Sequence, residues 1–559
     1  MAQTESRKEK DDLARAEQEV LDSQQLVARM SANQEAGMAV SDVAACGRMS
    51  SSINNNNNNK NDNFIATKFD SIGRKFQLSA RSSFSSELDY KANEAEVKKL
   101  GGGEIPEGAV QATWKRWVIL LLFCLNAGNK SFQWIEIVAL TSKATEYYQV
   151  DNYVINVTSI VFLLSFLVLS WPACLLIENL GLRKAVLMAS FGTATGSLIK
   201  CFSCEQGEPT SLGITLLLLG QVLVSLSEQL IFSVPTRLAS VWFPDHEVSS
   251  ACSLAYFGNQ VGVALGFLLP NYMLRSAETR EQMGRGFGDL FLWTLVYSVT
   301  VFLFCCWLFD EEPEKAPGKA RWRQRELERA TDESLKGNHE GLWSLTCSLF
   351  KHMGALMKNV NLVLLSLSYG LTVGTNNTIL TLLDQMLATT WPGDEHIVGN
   401  SGFLFVTFGA LGMVFWGWTM DKSHAYKAIN VWLTLGSLIS VGFFTYLLKA
   451  HSLALGIYIA SILMGLFTTG LMATGLEYAI ELTYPAPELV TSSVMNVMPQ
   501  IAATPAILFG TYLIDNYGTL HCNIFYLSLF LIGLLLLAVT REKLLRQNEI
   551  LNQAKQDKS

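Results

Sequence analysis

Long apolar runs recur between residues 115 and 540, and each run is about 20 residues or longer. A helix of that length crosses the ~30 Å hydrocarbon core of a bilayer. The pattern therefore predicts twelve membrane-spanning helices, six on each side of a polar stretch. The predicted spans are 115–141, 153–177, 182–202, 212–235, 247–272, 288–309, 359–388, 398–420, 426–448, 453–482, 488–514 and 520–540.

These runs divide the chain into five segments and predict an all-α polytopic membrane protein. The segments are a tail over 1–112, a six-helix half over 113–309, a loop over 310–357, a second half over 358–541 and a tail over 542–559. The first tail contains the tract "SSINNNNNNKNDN". Such a segment cannot bury enough apolar surface to order itself, so we expect it to be disordered.

Basic residues collect on one side of the predicted spans. "WKRW" precedes the first span, "LRK" joins the second and third, and "KARWRQRELER" lies in the central loop. The opposite turns, such as "EYYQVDNY" and "TTWPGDEH", are acidic or neutral, with "LRSAETREQMGRG" as an exception. Because Lys and Arg concentrate in cytoplasmic loops, we expect both termini in the cytoplasm. The C-terminal "NQAKQDKS" contains no retention signal, so the plasma membrane is the expected location.

Composition narrows the function classes. Half of the 559 residues are hydrophobic and only 16% are charged, which is typical of a polytopic membrane protein. No basic domain stands out, so we expect no nucleic-acid partner. The ten cysteines lack the spacing of a zinc site, and no nucleophile–base set or phosphate loop appears. We therefore expect no enzyme, no cofactor and no metal.

Polar side chains cluster inside the first span, in "NAGNKSFQWIEI". At 100° per residue they fall within an arc of roughly 160°, so one helix face is polar. Charged residues in spans are costly and usually face a cavity or a partner, which makes Lys130, Gln133 and Trp134 candidates for substrate contact. The alternative for Lys130 is a structural salt bridge. Glu228, near the middle of the fourth span, is a candidate to bind a cation, carry a proton or pair with Lys130.

A short motif recurs once in each half. "CLLIENLGLRK" follows the second span and "GWTMDKSHAYK" follows the eighth, and both place a carboxylate, Glu178 or Asp421, before basic residues. This resembles the signature of the loop between spans 2 and 3 in the major facilitator superfamily. The resemblance implies the major facilitator fold, with substrate bound near the bilayer midplane between two rocking six-helix halves.

Longer stretches resemble one family of these transporters. "SFQWI", "SLIKC", "PTRLASVWFPDHEVSSACSLAYFGNQVGVALGFLLP", "GLEYAIELTYP" and "DNYG" are similar to the feline leukaemia virus subgroup C receptor family, over about 113–545. The resemblance implies movement of choline and ethanolamine, and haem export has also been attributed to the family. Trp134 and Gln500 match site residues of the family, whereas Glu228 replaces a glutamine and Asn377 replaces a tyrosine.

Three functions remain open at this point. The first is alternating-access transport of choline, ethanolamine or a related amine by a monomer, with Trp134 stacking on the ammonium group. The second is transport of haem or another amphiphile, although haem favours His, Tyr or Cys ligands and the histidines fall in loops or span ends. The third is a membrane receptor that does not transport.

Overall fold

The structure is a computed structural model. It describes residues 110–204, 211–232, 234–244, 247–318, 321–322, 325, 356–391, 393–450, 453–483 and 488–542. The disorder predicted for 1–112 falls almost wholly outside these residues, as do most of the central loop and nearly all of the tail over 542–559. The side chains of Glu178 and Asp421 are also not described.

Fifteen α-helices occupy the described residues. They are α1 Lys115–Ile135, α2 Thr141–Tyr148, α3 Asn152–Leu180, α4 Leu182–Cys201, α5 Ser211–Phe232, α6 Val234–Trp242, α7 Val248–Leu274, α8 Arg280–Leu308, α9 Val360–Ala388, α10 Glu395–Ser423, α11 Tyr426–Lys449, α12 Ala454–Thr468, α13 Gly470–Thr483, α14 Glu488–Tyr517 and α15 Thr519–Val539. They form twelve spans in two sets of six. The predicted all-α, twelve-span architecture is confirmed.

Three spans are each built from two helices. In the first span α1 is joined to α2 through a 3₁₀ turn at Val138–Leu140, and α12 continues into α13 in the tenth. In the fourth, α5 ends at Phe232 and α6 begins at Val234. Pro235 therefore lies in the first turn of α6, where its missing N–H costs no helical hydrogen bond.

The sixth span begins earlier than predicted. Helix α8 begins at Arg280 and not at 288, because Thr279 and Gln282 form a capping box. In this arrangement each side chain accepts a hydrogen bond from the other residue's backbone N–H, which satisfies two donors at the helix start. The stretch "REQMGRG", which was predicted as part of a turn, is therefore helical.

Helix α9 carries many polar residues for a membrane span. Eleven stretches of the described helices are long and apolar enough to cross a membrane by length and composition alone, and α9 is not among them. It has 29 residues but carries buried serines, threonines and asparagines along its length. Neighbouring helices cover these side chains, so lipid does not contact them.

The halves meet through two pairs of helices. α7 packs against α10, and α3 packs against α14. In span numbers these pairs are 5 with 8 and 2 with 11. Span 5 of the first half corresponds to span 11 of the second half, and span 2 corresponds to span 8, so the two pairs are equivalent. The interface between the halves therefore has an approximate two-fold relation, as expected for a chain made of two similar halves.

Small residues allow the closest helix contacts within each half. A Cβ at Gly262 of α7 would lie 2.1 Å from the carbonyl oxygen of Gly128 in α1. In the second half, a Cβ at Gly374 of α9 would lie 2.9 Å from the carbonyl oxygen of Pro499 in α14. Glycine at these positions lets the backbones approach, as in many membrane helix pairs.

Polar bonds join the halves at the end of the molecule that holds the connections 149–151 and 389–394, which we call the closed end. The backbone N–H and hydroxyl of Ser142 donate to Asp384 at 2.7 and 2.8 Å. Lys143 forms an ion pair with Glu395 at 3.2 Å. The Asn156 amide donates to Thr511 at 2.7 Å. This end is opposite the central loop, so the charge pattern of the sequence predicts that it faces outside.

Candidate functional site

A cavity of about 160 Å³ lies between the two halves. Helices α1, α3, α5 and α7 contribute to its wall from the first half, and α9, α10, α13 and α14 contribute from the second. These helices belong to spans 1, 2, 4 and 5 and to spans 7, 8, 10 and 11, which correspond to each other after a shift of six. The cavity therefore lies on the approximate two-fold axis between the halves.

Aromatic rings form a large part of the cavity wall. The five aromatic residues that line it are Trp134, Phe162, Phe166, Tyr369 and Phe405. The Trp134 indole N–H donates to the Ser159 hydroxyl at 2.8 Å, and the Tyr369 hydroxyl donates to the Met472 carbonyl at 3.2 Å. Since the protein already satisfies both polar groups, these residues offer ring surface to a ligand. Aromatic ring faces attract cations.

A hydrogen-bonded chain fixes the position of Trp134. Ser159, which accepts from Trp134, also bonds to the hydroxyl of Thr381 at 3.0 Å. Ser159 belongs to the first half and Thr381 to α9 of the second half. The tryptophan is therefore linked to the opposite half through two hydroxyl groups.

The described part of the cavity wall has one acidic side chain and no basic one. Glu228 is the one carboxylate among the described residues that line the cavity, and none of them is Lys, Arg or His. A cleft with low-dielectric walls and one sign of charge attracts ions of the opposite sign. The wall thus favours a cation over an anion.

Amide side chains supply most of the remaining polarity. Seven of them line the cavity: Gln229, Asn259, Gln260, Asn376, Asn377, Asn496 and Gln500. The amide oxygens of Gln229 and Gln500 are buried without a hydrogen-bond partner. A buried acceptor left unpaired costs free energy, so these two oxygens favour a ligand that donates hydrogen bonds.

Four of the six predicted site residues meet at this cavity. Trp134, Glu228, Asn377 and Gln500 all line it, although they come from four different helices. The tyrosine that the family resemblance places at Asn377 is absent. Tyr369 of the same helix lines the cavity instead and supplies an aromatic ring.

Lys130 and Gln133 lie behind the wall and do not line the cavity. Both are completely buried. The Gln133 amide donates to Asn129 at 3.1 Å, and its oxygen accepts from the Ser197 hydroxyl at 3.2 Å. The polar arc of α1 is wider than the part of the helix that reaches the cavity. Its remaining side chains face neighbouring helices of the first half.

The same half contains a buried ion pair. The Lys200 ammonium lies 2.5 Å from Glu136, and both side chains are fully buried. Lys200 also donates to the amide oxygen of Gln221 at 3.2 Å, and the Thr294 hydroxyl donates to Glu136 at 3.3 Å. Glu136, which directly follows α1, therefore has a structural partner. This accounts for the acidic residue in the polar run of the first span.

Sequence reasoning missed part of the wall. Gln229 directly follows Glu228, and Asn259 and Gln260 are adjacent amides inside the fifth span, so their polarity was a usable signal. The phenylalanines gave no such signal, because the chain has 30 of them and most spans contain several. Only the packing distinguishes Phe162 and Phe405 from those that face lipid.

Two six-helix halves around a polar cavity define the class of protein as a membrane transporter. Residues 119–486 match the Major Facilitator Superfamily. Among solved structures, the D-xylose–proton symporter is similar with a TM-score of 0.60 at 12% identity, over 76% of this chain and 97% of that one. A bacterial homologue of the human lysosomal transporter Spinster is similar with a TM-score of 0.55 at 13% identity, over 77% of this chain and 95% of that one.

Relatives with higher sequence identity identify the family within this superfamily. The choline/ethanolamine transporter flvcr2a of Danio rerio is 31% identical over 82% of this chain and 93% of its own length. The choline/ethanolamine transporter FLVCR2 of Homo sapiens is 31% identical over 78% of this chain and 79% of its own length. The chain belongs to the major facilitator superfamily and, within it, to the feline leukaemia virus subgroup C receptor family.

Proposed function

We propose that this protein carries choline, ethanolamine or a closely related small amine across a membrane by alternating access. The observation that carries the proposal is the combination of five aromatic rings and one carboxylate in a single cavity between the halves. Ring faces and a carboxylate are the groups that hold an organic ammonium ion. The relatives named above as choline/ethanolamine transporters support the same substrate class.

The size of the cavity favours a small substrate. Pockets that bury drug-sized ligands have volumes of about 300–1,000 Å³, whereas this cavity has about 160 Å³. Haem is a large amphiphile, and its iron favours an axial ligand such as His, Cys, Met or Tyr. No His or Cys occurs among the described lining residues, Met472 is the one thioether there, and the Tyr369 hydroxyl is already bonded. We therefore do not carry the haem alternative forward.

The membrane topology is part of the proposal. Basic segments beside the tails and in the central loop support cytoplasmic termini. We further propose that the protein works as a monomer in the plasma membrane. Surface biotinylation, together with antibody access to tags at each terminus before and after permeabilisation, tests the location and the topology.

Uptake of radiolabelled choline and ethanolamine tests the transport activity. Cells that express the protein should show saturable uptake above mock-transfected cells. Glu228→Gln should weaken uptake at low substrate concentration, because it removes the carboxylate from the cavity wall. Asp289→Asn, on an exposed position of α8, is the matched control and should leave uptake unchanged. No uptake above mock cells, with the protein shown at the surface, would refute the proposal.

A further inference from the structure

Lys130 is buried without a carboxylate in contact. Its side chain has no exposed surface, and its ammonium donates one hydrogen bond, to the carbonyl oxygen of Ser227 at 3.2 Å. Among the described residues no carboxylate lies within ion-pair distance of it. Lys200, in the same half, is equally buried but has Glu136 at 2.5 Å. Two buried lysines in one bundle are therefore held in different electrostatic environments.

Glu228 is the acid that balances Lys130. It follows Ser227, the residue whose carbonyl accepts from Lys130, and it lines the cavity. From the described helices packed around α1, two titratable groups interact electrostatically with Lys130: Glu228 of α5 and the Cys305 thiol of α8. The Lys200–Glu136 pair further along α1 is neutral as a unit.

A bound cation would disturb this balance. With the cavity empty, the positive Lys130 and the negative Glu228 sum to zero. A substrate ammonium beside Glu228 would leave two positive charges against one carboxylate in a region of low dielectric, where uncompensated charge is costly. The neutral form of Lys130 restores the balance, because a nearby like charge disfavours the charged form of a lysine.

We propose that binding of an organic cation at Glu228 is coupled to the release of one proton from Lys130, so that the protein exchanges one proton for one cation. This inference rests on the proposed transport of small amines. In the step, the ammonium of Lys130 becomes an amine, and its proton passes by way of the carboxylate of Glu228, which lines the cavity, to water. When the cation departs, the amine takes a proton from the other side. The site carries no net charge in either state, so the exchange is electroneutral.

Proteoliposomes loaded with the purified protein test the coupling, with choline as the probe. Choline is a permanent cation, so the ammonium group of the substrate cannot supply the proton. Counterflow of labelled choline at equal pH on both sides first measures whether the protein carries it. A gradient of one pH unit, acidic inside and with the membrane potential held at zero, should then concentrate choline about tenfold inside, as one-for-one exchange requires.

A variant tests the assignment to Lys130. Lys130→Arg keeps the positive charge, but a guanidinium does not release its proton in a protein, so this variant should not concentrate choline. Lys184→Met, at an exposed lysine, should concentrate it as the native protein does. A pH-sensitive dye inside the vesicles gives a second readout. Each choline that enters should remove one proton, so the internal pH should rise with the native protein and not with the Lys130 variant.

The outcomes separate the two proposals. Choline counterflow without accumulation in the native protein would overturn the proton coupling and leave the transport proposal standing. Accumulation that persists in Lys130→Arg would overturn the role of Lys130. Absence of choline counterflow at equal pH would overturn the coupling of choline to protons, and absence of ethanolamine counterflow as well would overturn the transport proposal.

Discussion

Replacing Trp134 by alanine tests how much the aromatic wall contributes to binding. One ring facing an organic cation contributes about 0.5–2 kcal/mol, with Trp the strongest of the three aromatic types. Since about 1.4 kcal/mol corresponds to a factor of ten, the half-saturating choline concentration should rise about 2- to 30-fold. Four rings remain in the wall, so transport should be weakened and not abolished.

Two further variants separate the ring from its hydrogen bond. Trp134→Phe keeps an aromatic ring but removes the indole N–H that donates to Ser159 at 2.8 Å, and it should retain most of the affinity. Trp432→Ala, at a tryptophan of α11 that is 65% exposed, is the matched control and should change nothing. Concentration series of choline uptake, corrected for surface protein, measure all three. An unchanged half-saturating concentration in Trp134→Ala would refute the aromatic-wall reasoning.

Three other substitutions test the fold and the closed end. Lys200→Met leaves a buried carboxylate unpaired and should cost about 3–5 kcal/mol; thermal unfolding should show recovery when Glu136→Gln is added, and equal loss in single and double variants would contradict the pairing. Asp384→Ala removes the acceptor of two bonds from α2 and should speed alkylation, from the closed end, of a cysteine introduced into the cavity; an unchanged rate would count against a gate there. Gly262→Ala forces a methyl group to within 2.1 Å of α1 and should lower the melting temperature, unlike Gly417→Ala, whose Cβ position is open; equal melting temperatures would contradict the tight contact.

The span pattern was readable because a bilayer acts on local properties of the chain. Segment length and hydropathy decide whether a helix crosses hydrocarbon, and both are visible in about 20 consecutive residues. Even α9, the polar span, was predicted, since its length and low charge outweighed its Ser, Thr and Asn content. The start of α8 was wrong because the capping box at Thr279 depends on hydrogen bonds and not on hydropathy.

The candidate site was predicted only in part. The resemblance gave Trp134, Glu228, Asn377 and Gln500, and the structure brings these four to one cavity. The polar arc of α1 added Lys130 and Gln133, which face other helices of the first half. A helical wheel shows which side chains share a face, but it does not show which part of that face meets a cavity and which part meets a neighbouring helix.

The sequence by itself therefore determined the number of spans, the division into two halves and the family, because these depend on runs of neighbouring residues. The tertiary structure alone decided which polar groups meet. Lys130 reaches a carbonyl 97 positions away at Ser227, and Glu136 reaches Lys200 64 positions away. Such pairings depend on the packing of helices against one another. A membrane helix that buries a charge must find its partner there, since lipid offers none.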